Sequence, residues 1–196
     1  MSLTRKTTRA ILTAAALAAG VAHATDDTPP AQREAQALVD RFHQELSGKL
    51  TTALAEGGPL RAIDVCKIEA PAIASRLSRE SGWQVKRIGT RVRNPFAGLP
   101  DAWEQQQLAD FAGRLAAGEP PPAVAVYAEV DEAAGRMQRY MRAIPVAPQC
   151  LVCHGERDAQ PGELQAALAR EYPQDRALGY QPGELRGAFS LRRPAP

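Results

Sequence analysis

The chain has 196 residues, of which 44% are hydrophobic, 23% charged and 5% aromatic. This length suffices for one domain with a sizeable core, and no acidic tail or internal repeat divides it. Its 24 Lys and Arg against 22 Asp and Glu give a net charge of +2. Such a balance lacks the basic surface typical of nucleic-acid binding, so we expect no nucleic-acid partner.

The N-terminus has the pattern of an export signal. Three basic residues precede an apolar stretch over 10–21, and Ala22-His23-Ala24 forms an A-x-A cleavage site. The stretch is shorter than the roughly 20 residues of a membrane span, and a retained amphipathic anchor is the alternative. We expect residues 1–24 to be a cleaved signal peptide. Residues 25–196 are then a single soluble periplasmic domain without a transmembrane span.

The first half of that domain predicts two helices. Apolar residues recur with helical spacing over 35–54, and Gly57-Gly58-Pro59 ends that helix and opens the next, over 60–81. Cys66 lies on the apolar face of the second helix. Pro71 lacks the N–H that would bond to a carbonyl one turn earlier, so the sequence predicts a break or kink beside Cys66.

The second half predicts strands separated by helices. Alternating polarity marks the strands and helical spacing marks the helices. The predicted strands are 85–93, 123–130, 136–146 and 184–192, and the predicted helices are 100–117 and 163–172. The strands over 123–130 and 136–146 form a hairpin. This order of elements predicts an α+β fold built on an antiparallel sheet.

The most specific motif is Cys150-Leu151-Val152-Cys153-His154, the attachment signature of c-type haem. Cys150 and Cys153 would bond to the two vinyl groups of one porphyrin, and His154 would be the proximal iron ligand. A redox disulfide or half of a zinc site also uses C-x-x-C. The following histidine and the lack of a second C-x-x-C pair disfavour both. The motif predicts one covalent haem c, which bacteria attach outside the cytoplasm.

The third cysteine, Cys66, is left without a disulfide partner in the chain. It is either a small buried apolar residue or a thiolate ligand on the far side of the haem iron. The residues alone leave other candidates for that second axial position: His43, Met137, Met141 and Lys67. Five arginines could pair with haem propionates: Arg87, Arg91, Arg93, Arg139 and Arg142.

The chain resembles a group of PAS-like c-type haem domains, found as exported proteins and as extracytoplasmic input domains of bacterial receptors. The segments around Cys66 and near the C-terminus carry the resemblance most specifically. The matching residues are Ala62–Cys66, Ala70–Ala74, Arg93–Pro95, Pro100–Glu104, Pro145, Cys150–Gly155, Gly179-Tyr180 and Gly183–Ala188.

The resemblance implies a PAS-like antiparallel sheet flanked by helices, with a covalently bound c-type haem. It further implies a six-coordinate iron, with His154 as proximal and Cys66 as distal ligand. A thiolate stabilises ferric iron, so the potential should be low and reduction should loosen the Fe–S bond. We therefore expect a non-enzymatic redox- or gas-responsive sensor that signals to a protein partner and takes a diatomic gas. The alternative is a small electron-transfer cytochrome; a peroxidase would need the open iron position that Cys66 would fill.

Overall fold

A computed structural model describes residues 27–196, so the predicted signal peptide lies outside the described residues. The main helices are α1 (Pro30–Asp64), α2 (Ala70–Ser81), α3 (Pro95–Gly98), α4 (Ala102–Ala116), α5 (Leu151–His154) and α6 (Gly162–Glu171). The strands are β1 (Gln84–Gly89), β2 (Ala125–Glu132), β3 (Gly135–Pro145) and β4 (Leu185–Pro194). Short 3-10 turns cover Pro121–Ala123, Pro148–Cys150 and Arg157–Ala159.

The strands between residues 27 and 196 form one antiparallel sheet in the order β1-β4-β3-β2. The first and last strands of the sheet are therefore neighbours. The predicted hairpin is present as β2 and β3, which pair Glu132 with Gly135 at the turn. The helices together with this antiparallel sheet confirm the predicted α+β class.

Helix α1 extends beyond the predicted limits of 35–54 at both ends. Pro30 fits its first turn, because the N–H that proline lacks has no partner there in any helix. The backbone leaves helical geometry at Gly58, with φ 65° and ψ −161°, and becomes helical again after it. Glycine adopts positive φ without a steric penalty, so the predicted Gly-Pro break is confirmed.

The predicted break beside Cys66 is a single π-helical turn, Val65–Glu69. It closes when the N–H of Ala70 bonds to the carbonyl of Val65, one residue further back than in an α-helix. Pro71 follows and cannot donate to the carbonyl of Lys67, which favours this wider turn. π turns inside helices are frequent at functional sites.

Helices cover both faces of the sheet. On one face α1 and α2 pack against the sheet, and the buried side chains include Val39, Phe42, Leu77, Trp83, Phe189 and Leu191. On the other face α4 packs against the sheet, with Ile88, Leu108, Phe111, Met141 and Ala188 buried between them. Full burial of one such large side chain contributes about 1.5–3 kcal/mol. The two clusters hold the sheet rigidly between the helices.

Strand β1 is shorter than predicted, because it ends at Gly89 and not at Arg93. Its partner strand β4 runs antiparallel, and the last paired residues are Gly89 and Gly187. Nearby, β4 also shifts register against β3, so that Pro145 pairs with Leu185. Arg91 and Arg93 therefore lie in an irregular segment after the strand, where their side chains are free to reach other loops.

Gly187 allows β1 and β4 to approach closely. A Cβ atom at this position would lie 1.9 Å from the carbonyl oxygen of Ile88, and its φ is 157°. We expect Gly187→Ala to lower the free energy of unfolding by at least about 2 kcal/mol, through overpacking and backbone strain. Denaturant unfolding measures this change.

Gly113 provides the matched control. It is exposed inside α4, and a Cβ there would meet nothing within 4 Å. Gly113→Ala should raise the free energy of unfolding by about 0.5–1 kcal/mol, because alanine favours the helix. A Gly187→Ala protein as stable as Gly113→Ala would contradict the close approach of the two strands.

Candidate functional site

The Cys150–His154 motif lies in a compact turn. A 3-10 turn, Pro148–Cys150, leads directly into the short helix α5, which ends at His154. The next residue, Gly155, closes the turn by donating its N–H to the carbonyl of Leu151 at 2.8 Å. A Cβ on Gly155 would lie 2.6 Å from that oxygen, so the turn requires glycine. Both motif cysteines carry free, half-buried thiols.

Two small apolar clusters hold the motif in place. Cys150 and Leu151 pack against Val146, Ala177 and Tyr180. Cys153 packs against a second cluster, formed by Ile63 of α1 with Leu164, Ala167, Leu168 and Tyr172. The motif thus lies between the loop that precedes β4 and the helices α1 and α6.

The imidazole of His154 has a fixed orientation. Its Nδ1 donates to the carbonyl of Ala177 at 2.7 Å, which leaves Nε2 available as a ligand. The N–H of Tyr180 bonds to the His154 carbonyl at 3.0 Å, and the Tyr180 ring meets the imidazole edge-on, with centroids 6.2 Å apart.

Burial lowers the pKa of His154 well below its usual range. Arg186 and Arg93 act in the same direction, and the hydrogen bond to Ala177 opposes them. The ring is therefore neutral near pH 7. Neutral imidazole is the form that binds metals.

The helical segment that carries Cys66 contacts the elements around the motif. Ile63, three residues earlier, packs in the same cluster as Cys153, and Lys67 forms an ion pair with Glu171 of α6. Burial raises the pKa of the Cys153 thiol, Arg93 lowers it, and the charge of Cys66 raises it further. Burial also raises the pKa of Tyr172 to about 12, with Cys66 as the next cause. The charge of Cys66 thus acts on both Cys153 and Tyr172.

The other candidate axial ligands have different surroundings. His43 is exposed, and its ring meets Phe189 at 6.1 Å. Met141 is fully buried with Leu108 beneath α4, on the sheet face opposite α1 and α2. Met137 is buried on β3, and Lys67 is engaged by Glu171. Cys66 is the candidate whose charge acts on a cysteine of the motif.

Four of the five arginines proposed for haem propionates have carboxylate partners in the structure. Arg139 pairs with Asp101, Glu104 and Glu132 beside α4, Arg142 with Asp40, Arg91 with Glu184, and Arg93 with Asp175. Arg87 is the exception, because no carboxylate among residues 27–196 lies within ion-pair distance of it.

Arg87 is half-buried at the site, and sequence analysis overlooked a second arginine of the same kind. Burial lowers the pKa of Arg87, and its charge interacts with Cys66 and Tyr172. Arg186 donates to the carbonyl of Arg91 at 3.1 Å and has no carboxylate partner within the described residues. Burial lowers its pKa as well. Only the tertiary structure distinguishes these two arginines from the others.

A buried ion pair between Arg93 and Asp175 supports the motif, and sequence analysis did not single out Asp175. The two side chains meet at 2.9 Å and are 10% and 6% exposed. Arg93 also donates to the carbonyl of Cys153, and Asp175 accepts from the N–H of Ala177 at 2.8 Å. Removing one partner of a buried pair leaves an uncompensated charge and typically costs about 3–5 kcal/mol.

Comparison with known proteins identifies the family. The sequence profile of the Tll0287-like family matches residues 4–194, nearly the whole chain. The chain belongs to the Tll0287-like family. Among solved structures, it is similar to the crystal structure of the cyanobacterial heme-protein Tll0287, with a TM-score of 0.66 and 26% sequence identity. The match covers 86% of this chain and 97% of that chain. No curated protein matches it.

The Tll0287-like match covers the whole candidate site. Cys66, Arg87, Cys150, Cys153, His154 and Arg186 all fall within the matched residues. In residues 27–196, moreover, every helix is too short or too polar to cross a membrane.

Proposed function

We propose that this protein is a periplasmic monohaem cytochrome of c type that acts as a redox- or gas-responsive sensor module. The observation that carries the proposal is the C-x-x-C-H motif, whose histidine is kept neutral by burial and donates from Nδ1 to the carbonyl of Ala177. Membership of a family that includes a heme-protein supports it. So does the predicted export signal, because attachment of c-type haem takes place outside the cytoplasm.

The residues at the site fit a covalent haem. Cys150 and Cys153 have free thiols for two thioether bonds, and His154 keeps Nε2 for the iron. Val152, between the cysteines, and Ile68, two residues after Cys66, are 41% and 57% exposed. A large apolar ring at the site would remove such side chains from water, which is favourable.

Cys66 is the proposed distal ligand. Its thiol is free and half-buried, and its charge acts on the thiol of Cys153. The resemblance to PAS-like haem domains assigns the same residue. Bound haem supplies an iron that changes between ferric and ferrous states. Cys66 would donate charge through its sulfur and favour the ferric state, so the reduction potential should be low. The thiolate would also dissociate more easily once the iron is reduced.

Arg87 and Arg186 are the proposed partners of the haem propionates. Each is half-buried near the motif without a carboxylate partner in the described part of the chain, and burying an unpaired charge is costly. A guanidinium can bind a carboxylate through two parallel hydrogen bonds. Propionates at this position would compensate both arginines.

The sensor role rests on the release of Cys66 and on the fold around it. The adjacency of β1 and β4, with helices over the sheet, supports the PAS-like assignment. If Cys66 dissociated from the iron, the Fe–S bond would no longer hold the π turn, which joins α1 directly to α2. Reduction or gas binding could thus be transmitted to the long helix and to a protein partner. Because Cys66 fills the position that a substrate would need, we propose no enzymatic activity.

Carbon monoxide binding separates this role from electron transfer. If reduction loosens Cys66, the ferrous protein should bind carbon monoxide at least partly. Absorption spectra recorded during titration with the gas measure the bound fraction. A ferrous protein that stays six-coordinate and low-spin under saturating carbon monoxide would contradict the sensor role. That result would favour the second candidate, a small electron-transfer cytochrome.

A further inference from the structure

The surroundings of His154 contain a connected set of groups that no part of the proposed function uses. Arg93 and Asp175 form an ion pair of 2.9 Å in which both side chains are at least nine-tenths buried. Arg93 lies in the segment after β1, and Asp175 lies after α6. Each contacts a different part of the backbone that holds His154.

Arg93 contacts the residue before His154. Arg93 Nη2 donates to the carbonyl of Cys153 and approaches the carbonyl of Ala177 at 3.4 Å. Asp175 contacts the residue that accepts the hydrogen bond of the imidazole. Asp175 Oδ1 accepts the N–H of Ala177 at 2.8 Å, and the carbonyl of the same residue accepts from His154 Nδ1 at 2.7 Å. The ion pair therefore connects the imidazole's acceptor to the backbone that carries the imidazole.

We propose that the Arg93–Asp175 ion pair is a positioning unit that fixes the Ala177 carbonyl against His154 and thereby sets the donor strength of this ligand. The inference rests on the proposed haem-binding function. Hydrogen bonds to the outer nitrogen of a ligating histidine fix its orientation and raise its basicity. Here the acceptor is a backbone carbonyl, so its position depends on the groups that hold the loop. Arg93 and Asp175 hold it by charge as well as by geometry.

The adjacent arginine offers a matched comparison. Arg91 contacts the same loop, but it donates to the carbonyls of Leu178 and Gly179, at 2.7 and 2.9 Å. Its ion-pair partner is Glu184, at 2.8 Å, and its guanidinium lies over the ring of Tyr180, 3.7 Å from the centroid. Arg91 therefore contacts a neighbour of the imidazole but donates to neither the Cys153 nor the Ala177 carbonyl. A role confined to stabilising the loop would be shared by both arginines. A role in orienting His154 belongs to Arg93, whose ion-pair partner bonds to Ala177.

The experiment compares Arg93→Lys with Arg91→Lys in the haem-loaded protein. Lysine keeps the charge but lacks the planar guanidinium group, whose separate N–H donors can bind a carboxylate and a carbonyl at the same time. For Arg93→Lys we expect about a tenfold loss in the preference of His154 for ferric over ferrous iron. For a one-electron couple this is a rise of about 59 mV in the midpoint potential. The spread of g-values of the ferric haem in electron paramagnetic resonance should change with it.

Arg91→Lys should leave the midpoint potential and the g-values unchanged, while thermal unfolding reports the stability of both variants. Equal changes in both variants, or no change in either, would overturn the inference. If Arg93→Lys does not fold, Asp175→Asn is compared with Glu184→Gln, which removes the same charge from the partner of Arg91. Covalent haem is measured first in the unmodified protein. Its absence there would refute the proposed function, whereas intact haem with unmoved potentials refutes only the role of the ion pair.

Discussion

The double substitution Cys150→Ala and Cys153→Ala should abolish covalent haem completely. The two thiols are the expected thioether positions, they are free, and they lie in the turn that ends at His154. Without them any haem is held only by coordination and contacts, so acid–organic extraction should remove it. In the unmodified protein the haem should stay with the polypeptide. Haem staining of denaturing gels and mass spectrometry measure the difference.

Cys66→Ala is the matched control, because it removes a thiol from the same site without touching the motif. This variant should keep its covalent haem at the level of the unmodified protein. Haem that is extracted freely from the unmodified protein would contradict covalent attachment. Loss of covalent haem in Cys66→Ala would contradict the division of roles among the three cysteines.

Among single substitutions outside the Cys150–His154 motif, Cys66→Ala should have the largest spectroscopic effect. A ferric low-spin haem with thiolate and imidazole ligands gives a narrow spread of g-values and a weak sulfur-to-iron charge-transfer band. Both signals should disappear. The midpoint potential should rise by at least ~0.1 V, since axial ligands tune haem potentials over about 0.8 V. Electron paramagnetic resonance, near-infrared absorption and a redox titration measure these three changes.

Cys66→Met preserves a sulfur at the same place and should also raise the potential, because a thioether favours ferrous iron relative to a thiolate. Met141→Ala and His43→Ala serve as further controls, since one side chain is buried beneath α4 and the other is exposed. Both should keep the spectrum of the unmodified protein. If the ferric iron of either control variant becomes high-spin while the spectrum of Cys66→Ala stays unchanged, Cys66 is not the ligand.

Much of the fold could be predicted because it follows from local signals. The Gly58-Pro59 break and the lack of an N–H at Pro71 are properties of single residues, and both appear in the structure. The end of β1 was misplaced by four residues because it depends on β4, about 100 positions later, whose pairing with β1 ends at Gly187. No pattern within 85–93 indicates where a distant partner stops.

The groups that hold the candidate site in place were harder to predict from the sequence. The acceptor for His154 is a backbone carbonyl, that of Ala177, and any residue type provides one. The roles of the arginines depend on which carboxylate folds beside each of them. Arg93 is one of the five arginines predicted as propionate partners, but in the structure it pairs with Asp175. Arg186 is not among those five, and it has no carboxylate partner in residues 27–196.

The central claim is that one iron is held between His154 and Cys66, and X-ray absorption at the iron edge tests it most directly. The ferric protein should show a first shell with a single sulfur neighbour at a thiolate distance, and nitrogen neighbours from the porphyrin and imidazole. In Cys66→Ala that sulfur should vanish. A ferric first shell that contains nitrogen and oxygen alone, or a sulfur that persists in Cys66→Ala, would contradict the claim.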